Sequence, residues 1–491
     1  ATTTRTIAAM SPAPTLTPAA GARRRQPVRE LLEALWRVWR GRDNLLLIWR
    51  DDAFDRRLFA LRLLFRWVFV VNDPELVKQV LATNVANYRK SVYTERALKP
   101  LAGDGLFISH GELWRRQRRI MTPAFHRKRI RGFASDMVRT AREMIERWEM
   151  HDESGNGEPL QLHEEMARVT AEVVCRAMFS DDLGADRASA VFESFSRYQE
   201  SLGKLDMVEV LGLPRWFPRA GTASARLAVA QLDEVLNAII ARRAQEHVHR
   251  DDLLGLLLDA RDPQTGAGMS RKLLRDEAAV IILAGHETTA NALSWAFYLL
   301  SQSPQCEARL QQEVDRVLQG REPTYDDLSA LPYARAVVDE ALRLYPPVHV
   351  LSREAVQADS LGGRAVPRGS MVVIAPWILH RHRKLWREPD RFWPERFLPE
   401  HAEERSQYSY LPFGAGPRTC LGMGFGITEA TLILVMVARQ FRLRLAPGHR
   451  VEPLGRLTLR PDRGLPMVLE RRELATPVRA IEAEPLCIAE D

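Results

Sequence analysis

Cysteine is scarce in this chain. There are four in 491 residues (Cys175, Cys306, Cys420 and Cys487), far apart and in no C-x-x-C or cysteine–histidine spacing. This excludes a disulfide-built scaffold and a structural zinc site, and it reads as a reducing compartment. Long apolar runs are missing too. The best candidate, Leu61 to Val71, is broken by Arg62 and Arg66, and Leu432 to Ala438 is too short to cross a bilayer. A soluble protein with no transmembrane anchor is therefore expected. There is no zinc finger, no RNP-like string and no lysine-rich arm, so no nucleic acid is expected as the partner behind the net charge of +7. A membrane surface, an acidic protein partner, or arginines that only solvate the surface remain. No flavin-binding or iron–sulfur cysteine pattern is appended, and no internal repeat is visible.

Apolar residues make up 46% of the chain against 27% charged, enough for a large core. Residues 1–26 are rich in Ala, Thr and Pro, contain no acid and end just after Arg23-Arg24-Arg25, which reads as a disordered tail or, second, as an organelle-targeting segment. Leu31, Leu32, Leu35, Trp36 and Trp39 then form a helical stripe beside Arg37 and Arg40. Packing on the protein's own core is the favoured reading of this stripe, and contact with a membrane surface is the other. Phe59 to Val71 reads as β-rich and Asn72-Asp73-Pro74 as a turn opening a helix. From about 130 to 460 helical periodicity dominates, with short strands near Met371–Ile374 and within Leu457–Leu469, and residues 472–491 read as a tail.

The most informative stretch is Phe413-Gly414-Ala415-Gly416-Pro417-Arg418-Thr419-Cys420-Leu421-Gly422. A lone cysteine in a glycine-punctuated loop before an apolar helix suits one soft axial ligand against a flat anionic cofactor, or else a buried structural cysteine. A helix N-terminus would lower the thiol pKa. Gly416 and Gly422 would supply positive φ and close approach, Arg418 would pair with a carboxylate, and Phe413 would shield the sulfur. A second stretch, Ala284-Gly285-His286-Glu287-Thr288-Thr289, lies in the middle of an apolar helix expected from Ser270 to about Ser301. Small residues there leave room for a flat cofactor, and an acid followed by a hydroxyl supplies a proton route. A polar patch facing solvent is the alternative. Glu340 and Arg343, at i and i+3, read as a helix pair, and Trp114 and Arg118 lie one turn apart in a basic run that could also dock an acidic electron donor.

The spacing F-x-x-G-x-R-x-C-x-G resembles the haem-binding signature of the cytochrome P-450 family, and AGHETT resembles its oxygen-activation motif. Glu340-Ala341-Leu342-Arg343 followed by Pro394-Glu395-Arg396-Phe397 is similar to its E-x-x-R helix and P-E-R-F meander, and Trp114-x-x-x-Arg118 to its W-x-x-x-R. The resemblance covers roughly residues 50 to 470. It implies a mainly α fold with small β-sheets (α+β), a single haem domain over residues 27–471, and haem b ligated by the Cys420 thiolate. By the same resemblance, Trp114, Arg118 and Arg353 would contact haem propionates. Glu340, Arg343 and Arg396 would form a buried structural network, and Glu287 and Thr288 would deliver protons. The implied reaction inserts one oxygen atom from O2 into a hydrophobic organic substrate by hydroxylation or epoxidation. Electrons would come from a separate ferredoxin or flavodoxin with an NAD(P)H reductase, in a cytoplasmic protein of bacterial type. A peroxide-driven peroxygenase and a haem-binding protein without turnover are the alternatives. The pocket would draw on residues 95–110, the helices near 190–215, Ile281 to Ala284, Val348 to Leu351 and Asp462 to Pro466, with Val348, Val350 and Leu351 facing substrate or packing. One departure is the first hairpin, Leu63-Leu64-Phe65-Arg66-Trp67, which lacks a Gly or Pro turn and leaves the strand register open.

Overall fold

The computed structural model describes residues 39–63, 66–153, 158–180, 223–246 and 250–472, together with Glu33, Trp36, Arg37 and Tyr198. The expected N-terminal tail, all of the expected C-terminal tail except Arg472, Leu31, Leu32, Leu35 and, save Tyr198, the segment 190–215 lie outside the described residues.

A central helix, Arg271–Ser301, organises the molecule. It starts where expected because the Ser270 hydroxyl accepts from the Leu273 N–H at 3.2 Å, and it stops ahead of Pro304, which cannot continue it. Between Leu274 and Phe297 only Ala284, Gly285 and Thr288 are not buried. A helix apolar on almost every side belongs inside a core, and this one packs along the helix Leu162–Phe179 and against the helices Pro332–Leu344 and Met423–Gln440.

Strands β1 (Leu58–Leu63), β2 (Arg66–Val71), β3 (Tyr88–Lys90), β5 (Leu351–Ala355) and β8 (Met371–Ile374) form one sheet in the order β1-β2-β8-β5-β3, in which β2 and β8 run parallel. Strand β4 (Leu160–Gln161) joins β9 (Phe441–Leu445) and β12 (Pro466–Arg471), while β6 (Asp359–Leu361) pairs with β7 (Arg364–Val366) and β10 (Pro453–Gly455) with β11 (Leu459–Pro461). The first hairpin is in register, Leu58 opposite Val71 through Leu63 opposite Arg66, with Leu64 and Phe65 outside the described residues. Burial rather than turn chemistry explains this: Phe69 and Val71 enter one apolar cluster and Val68 and Val70 another. A slip by one residue would exchange the two faces.

For Trp36 and Trp39, the two described members of the stripe, packing on the core does not hold. The two side chains are 55% and 53% exposed, with the Arg40 and Arg42 guanidinium groups over their rings at 5.2 and 4.5 Å. No described helix is long and apolar enough to cross a membrane.

Buried histidines make the fold acid-sensitive. His380 is fully buried, and its Nε2 accepts from the Leu411 N–H at 2.8 Å, so the ring is held neutral at that atom. Burial, then the nearby Arg343 charge, brings its pKa down from 6.5 to about 3. The unfolded chain takes up this proton near pH 6.5 and the folded chain only near 3. The stability from the neutral ring is therefore complete above about pH 6.5 and is lost as pH falls, by about 1.4 kcal/mol per unit. Burial acts in the same direction on His349 and His286, each brought down to about 4. The urea midpoint should therefore fall between about pH 7 and pH 5, and His380→Gln should flatten that slope by about one proton. An unchanged slope in the variant would reject the assignment.

Candidate active site

Cys420 lies in the loop before the helix Met423–Gln440, and its N–H donates to the Phe413 carbonyl at 2.9 Å. Gly416 has φ of +69°, and a Cβ there would lie 2.0 Å from the Leu81 carbonyl oxygen, so both expected reasons for glycine apply. Gly422 differs. Its φ is −83° and no protein atom lies within 4 Å of its Cβ position, so neither positive φ nor crowding from the protein requires glycine there. By surface area Cys420 counts as exposed, yet protein surrounds it closely enough that burial pushes the thiol pKa up. Both hold for a sulfur deep in an open recess, and the depth governs its chemistry. The backbone N–H of Gly422 and the Arg118 charge pull the pKa the other way without reversing it. The lowered pKa expected from a helix N-terminus is thus not what this environment produces by itself.

Four cations converge near this loop. Trp114 and Arg118 project from the helix Gly111–Met121, and Arg118 Nη1 donates to the Thr419 carbonyl at 2.8 Å. Arg418 stacks over Trp114 at 4.4 Å and donates to the Ser109 carbonyl at 2.9 Å. Arg353 sits in β5 directly opposite Lys90 in β3. These contacts engage Arg418 Nη2 and the face of the guanidinium. Burial, then the Arg418 charge, brings Arg353 down to about 10; burial brings Arg418 to about 10, with Glu95 opposing. Lys90 falls well below its ordinary value through burial and then the Arg353 and Arg418 charges. Arg353 Nε and Arg418 Nη1 are buried with no hydrogen-bond partner. Buried, mutually repelling donors of this kind fit a group with more than one negative charge, such as a planar cofactor bearing two carboxylates. Lys90 escaped sequence reasoning because a single lysine in a three-residue strand carries no signal until the strand register is known.

On the central helix Arg271–Ser301, Ala284 is exposed and Thr288 half-buried one turn on, with the Thr288 hydroxyl donating to the Ala284 carbonyl at 2.7 Å. The helix is α-helical throughout, without the local widening that such a bond can favour. Gly285 does not make room for a cofactor. Its Cβ would lie 2.5 Å from Val174 Cγ2, so its small size lets the helix Leu162–Phe179 approach. Glu287 is buried and accepts from the Thr458 hydroxyl at 2.6 Å, while Thr458 Oγ1 accepts from Asn291 Nδ2 at 3.2 Å. Thr458 and Asn291 were also missed: Asn291 lies one turn after Glu287 on the same helix, but Thr458, which links the two, comes from a distant part of the chain and only tertiary contact brings it there. Of the expected substrate-facing trio, Val350 and Leu351 pack on the sheet's apolar clusters, and Val348 is half-buried outside them.

Glu340, Arg343 and Arg396 come together behind the site. Glu340 accepts from Arg343 at 2.7 and 2.8 Å, from Arg396 Nε at 3.0 Å and from the Trp393 N–H at 2.8 Å. The basic run is largely neutralised: Arg115 pairs with Glu112 at 2.8 Å, and Arg116 and Arg119 approach Asp262 at 3.8 and 3.4 Å. This weakens its reading as a positive docking face.

Residues 53–465 match the sequence profile of the family described as Cytochrome P450. The chain is 38% identical over 403 residues to cyclooctatin synthase of Streptomyces melanosporofaciens, covering 82% of this chain and 86% of that protein. It is 36% identical over 385 residues to cyclooctat-9-en-7-ol 5-monooxygenase of the same organism, covering 77% and 81%. The crystal structure of the cytochrome P450DA heme domain superposes with a TM-score of 0.75 at 27% identity, covering 86% of this chain and 91% of that one. The chain belongs to the cytochrome P450 family and has its mainly α fold with small sheets. It is a monooxygenase, and membership implies a thiolate-ligated haem, O2, a redox partner and a hydrophobic substrate.

Proposed function

We propose that this monooxygenase hydroxylates an apolar carbocyclic compound of the terpenoid class, using haem b ligated by Cys420 and electrons from a separate ferredoxin. The observation that carries the reading is the break in burial at Ala284, Gly285 and Thr288, on a helix otherwise buried from Leu274 to Phe297. A hydroxyl is thereby offered where the helix opens, with apolar Ile281 one turn before Ala284. The substrate class is supported by the two Streptomyces relatives, one of which is named for a cyclic alkenol that it oxidises at a second position.

When bound, haem supplies the oxidising chemistry, and the protein's part is to position, exclude water and move protons. Lys90, Arg118, Arg353 and Arg418 would hold its carboxylates, with Trp114 keeping Arg418 in place. Asn291 and Thr458 fix the Glu287 carboxylate by an aligned pair of hydrogen bonds. Thr288 holds its proton on the Ala284 carbonyl, from which rotation about χ1 frees it for the reacting oxygen. Glu340, Arg343 and Arg396 take no part in proton movement and hold the meander.

The reading is tested by titrating the ferric protein with a panel of fatty acids, terpenoids, macrolides and xenobiotics while following the haem spin state. A low- to high-spin shift confined to terpenoids is expected; a shift confined to another class would reject the substrate assignment. Thr288→Ala should lower product formed per NAD(P)H consumed by about tenfold or more, with Thr288→Ser restoring most of it. Full coupling in the alanine variant would remove Thr288 from proton delivery.

A further inference from the structure

The chain ahead of the first sheet has no part in this chemistry, yet its composition and exposure are unusual. Glu33, Trp36, Arg37, Trp39 and Arg40 are helical, and Trp36 and Trp39, three residues apart, are both more than half exposed. The end of this helix is fixed to the folded body. The Gly41 N–H donates to the Arg37 carbonyl at 2.8 Å, and a Cβ on Gly41 would lie 2.3 Å from Ile48 Cγ1. Asn44 donates to the Pro453 carbonyl at 3.0 Å and accepts from the Gly455 N–H at 2.9 Å. Two indoles are thus held in water at an anchored helix end, with Arg40 and Arg42 stacked over them.

Charge is concentrated in the same place. Residues 1–42 contain eight arginines, no lysine and two glutamates, which is six of the chain's seven excess positive charges. The other 449 residues are almost balanced, sixty-two Lys and Arg against sixty-one Asp and Glu. We propose that this segment docks the protein on an anionic lipid surface, with Trp36 and Trp39 at headgroup level and the arginines on lipid phosphates. Indole has an apolar body and one polar edge, which suits the interface between headgroups and acyl chains. Seven of the eight arginines fall within residues 23–42, beside the two indoles, and a basic cluster joined to exposed aromatics of this kind suits anionic headgroups with an apolar layer beneath them. The reading does not depend on the substrate or on the identity of the electron donor.

The test is flotation of the haem-loaded full chain with vesicles of phosphatidylcholine alone and with about 30 mol % phosphatidylglycerol. Binding should favour the anionic vesicles by about tenfold or more and should fall steeply at ~0.5 M NaCl. Trp36→Ser/Trp39→Ser should weaken it about tenfold at low salt, with the haem spectrum unchanged. Brominated lipid should quench fluorescence of the parent protein more than that of the double variant. Equal binding to both vesicle types, or none, would overturn the proposal. So would a double variant that binds vesicles as the parent does, or one weakened only toward an acidic ferredoxin.

Discussion

Glu340→Ala is expected to leave almost no folded, haem-retaining protein. Glu340 and Arg343 are both fully buried, and every Arg343 donor is used: Nε and one Nη2 hydrogen on Glu340, the other on the Arg391 carbonyl, and Nη1 on the carbonyls of His380 and Pro389. Arg396 reaches Glu340 with Nε and the carbonyls of Arg387 and Glu388 with its other nitrogens. Removing the one carboxylate leaves two guanidinium groups in the interior without a counter-charge and takes the acceptor from the Trp393 N–H as well. Breaking a buried pair from one side costs about 3–5 kcal/mol, a large share of the roughly 5–15 kcal/mol that holds a domain together. Glu340→Gln keeps an acceptor at Oε1 and should lose less. The measurements are yield, haem content per chain and the unfolding midpoint. A purified Glu340→Ala protein with full haem and a midpoint within about 2 °C of the parent would contradict the network's structural role.

That network was legible only through the family resemblance: the i, i+3 spacing of Glu340 and Arg343 by itself reads as an ordinary helix pair, and nothing local ties Arg396 to it. The central helix was legible from its own residues. Ser270 marks its start, Pro304 lies just past its end, and no glycine or proline other than Gly285 interrupts it. Residues whose roles depend on what lies across from them were misread. Gly285 looked like room for a cofactor, but the neighbour that needs its small size is Val174 on another helix. Gly422 looked like a backbone requirement, yet its φ is one any residue adopts. Trp36 and Trp39 have the spacing of a core stripe, and spacing cannot say whether a face meets protein or water. Lys90 reaches the arginine cluster only through the pairing of β3 with β5, which no local pattern announces.

Cys420→Ser should abolish turnover while leaving the fold in place, and the other cysteines provide the contrast. Cys175 is buried in the core, where burial raises its thiol to about 12; Cys306 is half-buried beside Tyr333, and burial raises its thiol too. Cys420 alone among the described cysteines is exposed by surface area and has neighbours that favour the thiolate, the Gly422 N–H and the Arg118 guanidinium, with no carboxylate opposing them, whereas Glu395 and Glu340 oppose Tyr333 and Arg391 at Cys306. Burial still outweighs those two, so the protein by itself holds this thiol above its ordinary value. A stable thiolate here would need a cation at the sulfur, which the haem iron of the proposed function would supply. Serine keeps the size of the side chain and the Cys420 N–H to Phe413 carbonyl bond, so helix Met423–Gln440 should start as before. On the proposed assignment the variant would lose the soft, electron-releasing thiolate that distinguishes this class of haem site. The expected result is loss of the thiolate signature in the reduced carbonyl spectrum and a fall in product formation on the order of a thousandfold or more. Cys175→Ser and Cys306→Ser should keep that signature. A Cys420→Ser protein that retained both the signature and turnover would move the axial ligand elsewhere.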